Sequence, residues 1–282
     1  MKAAFYYKTK KVTLNLIIHL LLLTVSVTCL FPLLWMVSSS LKTQETIFKD
    51  MSLIPREFHF ENYYHAWIEG GFGRNFFNSI VYTVCVVIGI IIVASLAAYA
   101  FSRFRFPGKN LLFFMFMAAM MIPIPGSFVP LYVLLNKLHL RNTAPGYILC
   151  MINVGLSTSI FLLKTFFDNM PKELEDAAKI DGCSKLGIWW HVALPLAKPV
   201  LAVVVVFNAL AVWNEYVLAL IIFDSKALMP LQVALMTFQG EFITRYPLLM
   251  AGMTITVLPI IIVYLLMQKY IVKGVTQGAV VG

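Results

Sequence analysis

Residues Asp168 to Pro199 read DNMPKELEDAAKIDGCSKLGIWWHVALPLAKP, a polar island between two long apolar runs. Lys172, Glu173, Glu175, Asp176, Lys179, Asp181 and Lys185 crowd into a few turns of it. The pattern predicts a short helix, a sharp turn and a second short helix at a membrane surface. Pro171 suits the first helical position, where its missing N–H is not needed, and Glu173 and Glu175 complement the positive end of the helix dipole. Lys172–Asp176 and Glu175–Lys179 are expected as i,i+4 pairs, each stabilising by a few tenths of a kcal/mol. Gly182 is a stop signal, and Ser184 is placed to cap the helix after it. Ala177 and Ala178 would leave one side of the first helix bare for close approach of a partner, and the charges keep the segment out of lipid.

The composition around the island is that of a membrane protein. Of 282 residues, 60% are hydrophobic and 12% charged, against about a quarter charged in a soluble domain. The net charge of +9 does not point to nucleic acid, because the basic residues flank apolar spans and so read as orientation signals. Cys29, Cys85, Cys150 and Cys183 lack metal-ligand spacing, and three of them lie in apolar runs as packing residues. No GxxxxGK[ST] loop is present, so this chain does not bind ATP by that route.

In chain order, 1–13 is a basic tail and 14–37 the first span. Its 24 residues exceed the ~7–15 of a signal-peptide core. His19 inside it reads as a packed residue. An external segment, 38–75, precedes a core of five spans over 76–270. The spans are expected at Phe76–Phe101, Leu111–Leu135 (interrupted by Pro123, Pro125 and Pro130), Tyr147–Phe167, Val200–Phe223 and Leu248–Tyr270, with 271–282 a tail. Met115, Met117, Met120 and Met121 read as gap-fillers. With the N-terminus inside, fourteen of the 22 Lys and Arg fall on the cytoplasmic side and eight outside, which predicts six spans, N-in and C-in, and a cytoplasmic island.

The island resembles the cytoplasmic loop of the permeases of bacterial ATP-binding-cassette importers, in which Glu-Ala-Ala is followed by Gly, Ile and Leu-Pro at fixed spacing. Asp176-Ala177-Ala178, Gly182, Val192 and Leu194-Pro195 fill those positions, with Asp for Glu and Val for Ile. SSLKT, ENYYHAW, FGRNFFNS and the Gly-rich tail resemble the carbohydrate branch, the maltose-type permeases. The resemblance implies an all-α type I importer fold whose first span wraps the outside of the other five. It implies no catalysis in this chain and no cofactor, with ATP and Mg2+ held by two separate cytoplasmic ATPases. A second homologous permease and an external solute-binding protein complete the assembly in the bacterial inner membrane, importing sugar. It also implies that Glu175, Asp176, Ala177, Ala178, Asp181, Gly182, Val192, Leu194 and Pro195 couple to the ATPase.

Two other readings compete. An ion-driven secondary transporter would need ionisable or broken-helix sites near the midplane, and Glu215 is the one clear acid in a span. A membrane scaffold would leave the island unexplained. Glu215, roughly 20 Å into the fifth span at 1.5 Å per residue, is expected to face the bundle interior or water. Asn214 beside it offers donors and an acceptor suited to sugar hydroxyls. Treated as one continuous helix, the span places neighbours about 100° apart, so Asn214 and Glu215 are candidates for the translocation path and Trp213 or Tyr216 for packing. Glu215 as a bundle-stabilising hydrogen-bonding group is the competing role.

Overall fold

The computed structural model describes residues 2–121, 124–240 and 244–279. Among these the chain is helical, with one isolated antiparallel bridge between Gln239 and Thr244. The helices are α1 (Lys2–Ser40), α2 (Glu61–Glu69), α3 (Phe72–Arg103), α4 (Lys109–Ala119), α5 (Phe128–Lys137), α6 (Ala144–Asn169), α7 (Lys172–Ile180), α8 (Lys185–Ile188), α9 (Leu194–Leu196), α10 (Lys198–Asn214), α11 (Val217–Ile222), α12 (Leu231–Ala234) and α13 (Tyr246–Ala279). Contacts divide the chain into two units, Met1–Gly70 with Thr237–Ile255, and Gly71–Met236 with Thr256–Gly282.

In the first unit, every residue from 13 to 34 of α1 is exposed. A helix apolar on all sides with no buried face is solvated by lipid or by another membrane chain. His19 is exposed too, its ring nitrogen 2.6 Å from the Asn15 carbonyl, so it satisfies itself on its own helix rather than in a packed interior. Past Ser40 the chain folds onto itself through polar groups. The Lys42 ammonium, 2% exposed, donates to the carbonyls of Asp50 and Ser52 at 2.5 and 2.8 Å. Asn62 of α2 donates to the carbonyls of Ser40 and Lys42. Gln44 donates to the Thr244 carbonyl and accepts from the Tyr246 N–H, and Arg245 pairs with Glu69 at 2.6 Å.

In the second unit, α3 packs along α6, and α10 packs against both. Val86, Ile90, Ala94 and Ala98 follow one another at four-residue spacing down the buried face of α3. Across from them lie Met151, Ile160, Leu163 and Phe167 of α6 and Val204 and Val212 of α10. The helices meet closely where side chains are small: a Cβ on Gly155 would stand 2.1 Å from the Asn208 Oδ1. Asn208 donates there to the Ser159 hydroxyl and to the Val204 carbonyl, the interhelical hydrogen bonding and small-residue contact that hold helices together in lipid. At the other end of α3, Asn78 donates to the carbonyls of Ala227 and Met229, Tyr82 donates to the Leu228 carbonyl, and Ser79 accepts from the Leu231 N–H. One polar stripe of a span thus fixes the loop before α12.

Among the described residues four helices are long and apolar enough to cross a membrane: Thr13–Ser40, Phe72–Arg103, Ala144–Asn169 and Tyr246–Lys269. The pair Lys185–Leu196 and Lys198–Asn214, bent by 79°, passes the same test only when taken together, as a broken span or a re-entrant loop. Two expected spans are not single helices. Leu111–Leu135 consists of the short helices α4 and α5. Of the prolines expected to interrupt it, Pro123 lies outside the described residues, Pro125 falls in a 3-10 turn and Pro130 in the first turn of α5, where its missing N–H is tolerated. Val200–Phe223 is broken at Glu215 and Tyr216, with extended backbone at Glu215 (ψ 129°).

Candidate functional site

The island folds as a lever built from local signals. Lys172–Ile180 is helical, with Pro171 just before it, acids in the first turn and Lys179 in the last. The helix ends in two bonds, from the Gly182 N–H to the Lys179 carbonyl and from the Cys183 N–H to the Ala178 carbonyl, with Gly182 left-handed at φ +81°. This is the paired closure that a glycine just beyond a helix end permits. The Ser184 hydroxyl accepts from the Gly187 N–H at 3.1 Å and starts α8. Trp189–Ala193 widens to a π-helical turn, and the chain bends between α9 and α10 at Ala197. Pro195 and Pro199 lack N–H groups and press on the turns before them, which accounts for both distortions.

The side chains of α7 divide between two faces. Glu175 and Ala178 are buried, while Asp176, Ala177 and Ile180 are exposed, Ile180 at 87%. The two alanines therefore do not share one bare side: Ala178 packs inward against the core and Ala177 looks outward. The expected Glu175–Lys179 pair is replaced as well. Glu175 is ion-paired with Arg103 at the end of α3, both side chains 8% exposed. Arg103 also donates to the Met170 carbonyl at 2.6 Å, so one guanidinium ties α3 to the start and the middle of the lever. Lys179 instead reaches Asp176 at 2.7 Å. That bond holds the Asp176 carboxyl below its ordinary range and pushes the Lys179 ammonium up. Asp181 and Pro195 are exposed, and Val192 and Leu194 pack partly buried against the core.

At the other candidate site the helix break changes the geometry. Trp213 is buried, edge-on to Phe76 at 5.7 Å, and donates to the Thr256 carbonyl at 3.1 Å. Asn214 is exposed; its amide nitrogen donates to the Leu210 carbonyl and its oxygen accepts from Gln232 at 3.1 Å. The Glu215 carboxylate accepts from the N–H groups of Leu218 and Ala219 at 2.7 and 3.2 Å. It supplies the first turn of α11 with acceptors, and this is what ends α10 and restarts the helix. The 100° spacing of a continuous helix does not apply across the break. Tyr216 is 45% exposed rather than packed. Gln232, which no local sequence signal marks, is brought beside Asn214. Arg103 is the other residue missed; at a span end it reads as an orientation charge only. Among the described residues no cluster of His, Cys, Asp or Glu could hold a metal ion.

Residues 90–277 match the family model described as "Binding-protein-dependent transport system inner membrane component". The chain is 36% identical over 252 residues to the probable ABC transporter permease protein YurM of Bacillus subtilis, covering 89% of this chain and 84% of that one. It is 33% identical over 262 residues to the diacetylchitobiose uptake system permease protein NgcG of Streptomyces coelicolor, covering 92% and 87%. Among solved structures it matches a chain of a bacterial ABC transporter involved in the import of the acidic polysaccharide alginate, with TM-score 0.82 and 25% identity over 91% of this chain and 96% of that chain.

Proposed function

The chain belongs to the family of binding-protein-dependent transport system inner membrane components, the ABC importer permeases, and we propose that it is the carbohydrate-conducting subunit of an ATP-driven importer. It crosses the inner membrane six times with both termini inside, α4 and α5 together forming the third crossing and α10 with α11 the fifth. It forms the path with a second permease, receives sugar from an external binding protein and takes its motion from two cytoplasmic ATPases. ATP and Mg2+ stay on the ATPases. The substrate class rests on relatives: NgcG is named for diacetylchitobiose uptake, and the matched structure is of an alginate importer.

The observation that carries the coupling role is the exposed face of α7. Ile180 at 87% and Leu174 at 43% exposure stand among Lys172, Glu173, Asp176 and Lys179 on that helix. Exposed apolar side chains there suit a partner's cleft, and the Arg103–Glu175 pair joins that helix to a span. Motion of a docked ATPase thus reaches α3 through a buried charge pair and α10 through the bend at Ala197. Asn214, exposed, and Gln232, half-buried beside it, are amides in contact and are proposed to face the path and to meet sugar hydroxyls. Glu215 shapes the break beside them.

The test is the complex purified with its ATPases and reconstituted with the binding protein. Ile180→Glu should leave the permease in the membrane with an unchanged melting temperature, yet release the ATPase and abolish ATP-dependent sugar uptake. Retained ATPase together with normal uptake would remove α7 from the coupling surface.

A further inference from the structure

Between the end of α3 and the island lies a cleft of about 210 Å³, lined by Arg103, Phe104, Arg105, Glu175, Lys179 and Lys185 among others. It is smaller than the ~300 Å³ at which pockets for drug-sized ligands begin. Its lining is strongly basic, and the charges are not equally available. Arg103 is neutralised by Glu175, and Lys179 is shared with Asp176. Arg105 and Lys185 have no carboxylate partner among the described residues. The Lys185 ammonium is held 5.0 Å over the Phe104 ring, a cation–π contact that fixes its position without neutralising it.

The cleft opens where the apolar run of α3 ends and Arg103 and Arg105 follow, the sequence signature of a membrane–water interface. Leu186 and Trp190, 63% and 56% exposed on the helix that begins at Lys185, extend an apolar surface beside it. Trp is the side chain enriched at this interface. The Gly187 N–H at the start of that helix is already taken by Ser184, so the charge on offer comes from side chains.

We propose that this cleft binds the phosphodiester headgroup of an anionic phospholipid. Arg105 grips two phosphate oxygens through its planar fork, and Lys185 supplies a fixed point charge. A lipid is favoured over free phosphate because the two cations sit at a span end beside exposed apolar side chains. The lipid would then lie against the wall of Arg103 and Glu175 through which α7 is fastened to α3, making the joint sensitive to membrane composition. The inference rests on the chain's place in the membrane and not on the coupling role.

The test uses the full chain assembled with its partner subunits. Lipid retention is read by native mass spectrometry after exchange into phosphatidylcholine carrying increasing phosphatidylglycerol. Wild type should keep one phosphatidylglycerol per copy of this chain. Arg105→Gln with Lys185→Gln should weaken that retention about thirtyfold, from roughly two juxtamembrane charges. Lys49→Gln with Lys226→Gln, an equal loss of charge in other loops, should leave it unchanged, and equal melting temperatures would show that all three proteins are folded. Three results would overturn the proposal: equal retention in both double variants, displacement of the lipid by millimolar inorganic phosphate, or retention by the isolated chain that vanishes when the ATPases bind. A wild-type complex that keeps no phosphatidylglycerol yet imports sugar with ATP would sink this site and spare the transport reading, whereas wild-type retention without uptake would do the reverse.

Discussion

Arg103 joins the end of α3 to Glu175 of α7 and to the Met170 carbonyl before it. A buried ion pair gains little over a well-packed apolar pair, but removing one partner strands the other and costs about 3–5 kcal/mol. Arg103→Gln or Glu175→Gln should therefore lower the thermal midpoint of the purified permease strongly, and Arg103→Met with Glu175→Leu should recover most of the loss. Equal midpoints for wild type and both single variants would show that the pair holds nothing. Asp176 and Lys179 make the contrast, because their bond is on the surface. Asp176 contributes stability that is present above the ordinary carboxylate range and is lost as pH falls through its lowered value. Lys179 contributes below the ordinary lysine range and loses its share as pH rises through its raised value. Between those limits both are charged, so the pair adds no pH dependence near neutrality. Exposure screens it as well, and Asp176→Asn should leave the melting temperature unchanged at pH 7; a clear fall would mean that the pair is shielded by a neighbour. The sequence makes a surface pair on this helix legible but not which one: Lys172–Asp176 and Glu175–Lys179 are both expected at i,i+4, and Asp176 meets Lys179 at i,i+3 instead. It does not make the buried one legible, because Glu175 meets a residue 72 positions away and nothing in the local pattern distinguishes Arg103 from an orientation charge.

Among the elements, the turn of the lever and the break in the fifth span show what local sequence can and cannot decide. Gly182 is readable because a left-handed residue after a helix is a local requirement, and a Cβ there would meet nothing within 4 Å. The constraint is conformational and not steric. Asn should be tolerated at this position, and Val should cost about 1–2 kcal/mol as a side chain forced into the left-handed region. If α7 transmits motion, Gly182→Val should assemble with the ATPases but hydrolyse ATP without uptake, while Gly182→Asn transports. Equal transport by both would reduce the turn to a connection. The break at Glu215 was not readable, since the apolar run continues through it. A carboxylate inside such a run costs about 2.5–3.5 kcal/mol on insertion scales, and here two backbone N–H groups of α11 meet it. Glu215→Gln keeps one acceptor oxygen and should preserve assembly; Glu215→Ala removes both and should lower the melting temperature. Identical melting temperatures for wild type and both variants would mean that the helix restarts without the cap.

At the scale of the whole molecule, the island's side of the membrane decides whether an ATPase can reach it. The Lys and Arg distribution and the island motif lead to the same orientation by separate arguments, and the helices alone do not decide it, because a helix crosses a membrane equally well in either direction. Cys183 gives a direct measurement. It follows Gly182 in the turn, is partly exposed, and is a free thiol. Cys29 and Cys85 are exposed along apolar helices, where a charged reagent does not enter, and Cys150 is half-buried within α6. A membrane-impermeant maleimide should thus label the wild-type chain chiefly at Cys183, in inside-out vesicles and not in intact spheroplasts. Cys183→Ser should abolish the signal, and bound ATPase should slow it if the docked partner covers the turn. Labelling in intact spheroplasts would place the island outside, beyond reach of any ATPase, and would remove the coupling role together with the six-span, N-in arrangement.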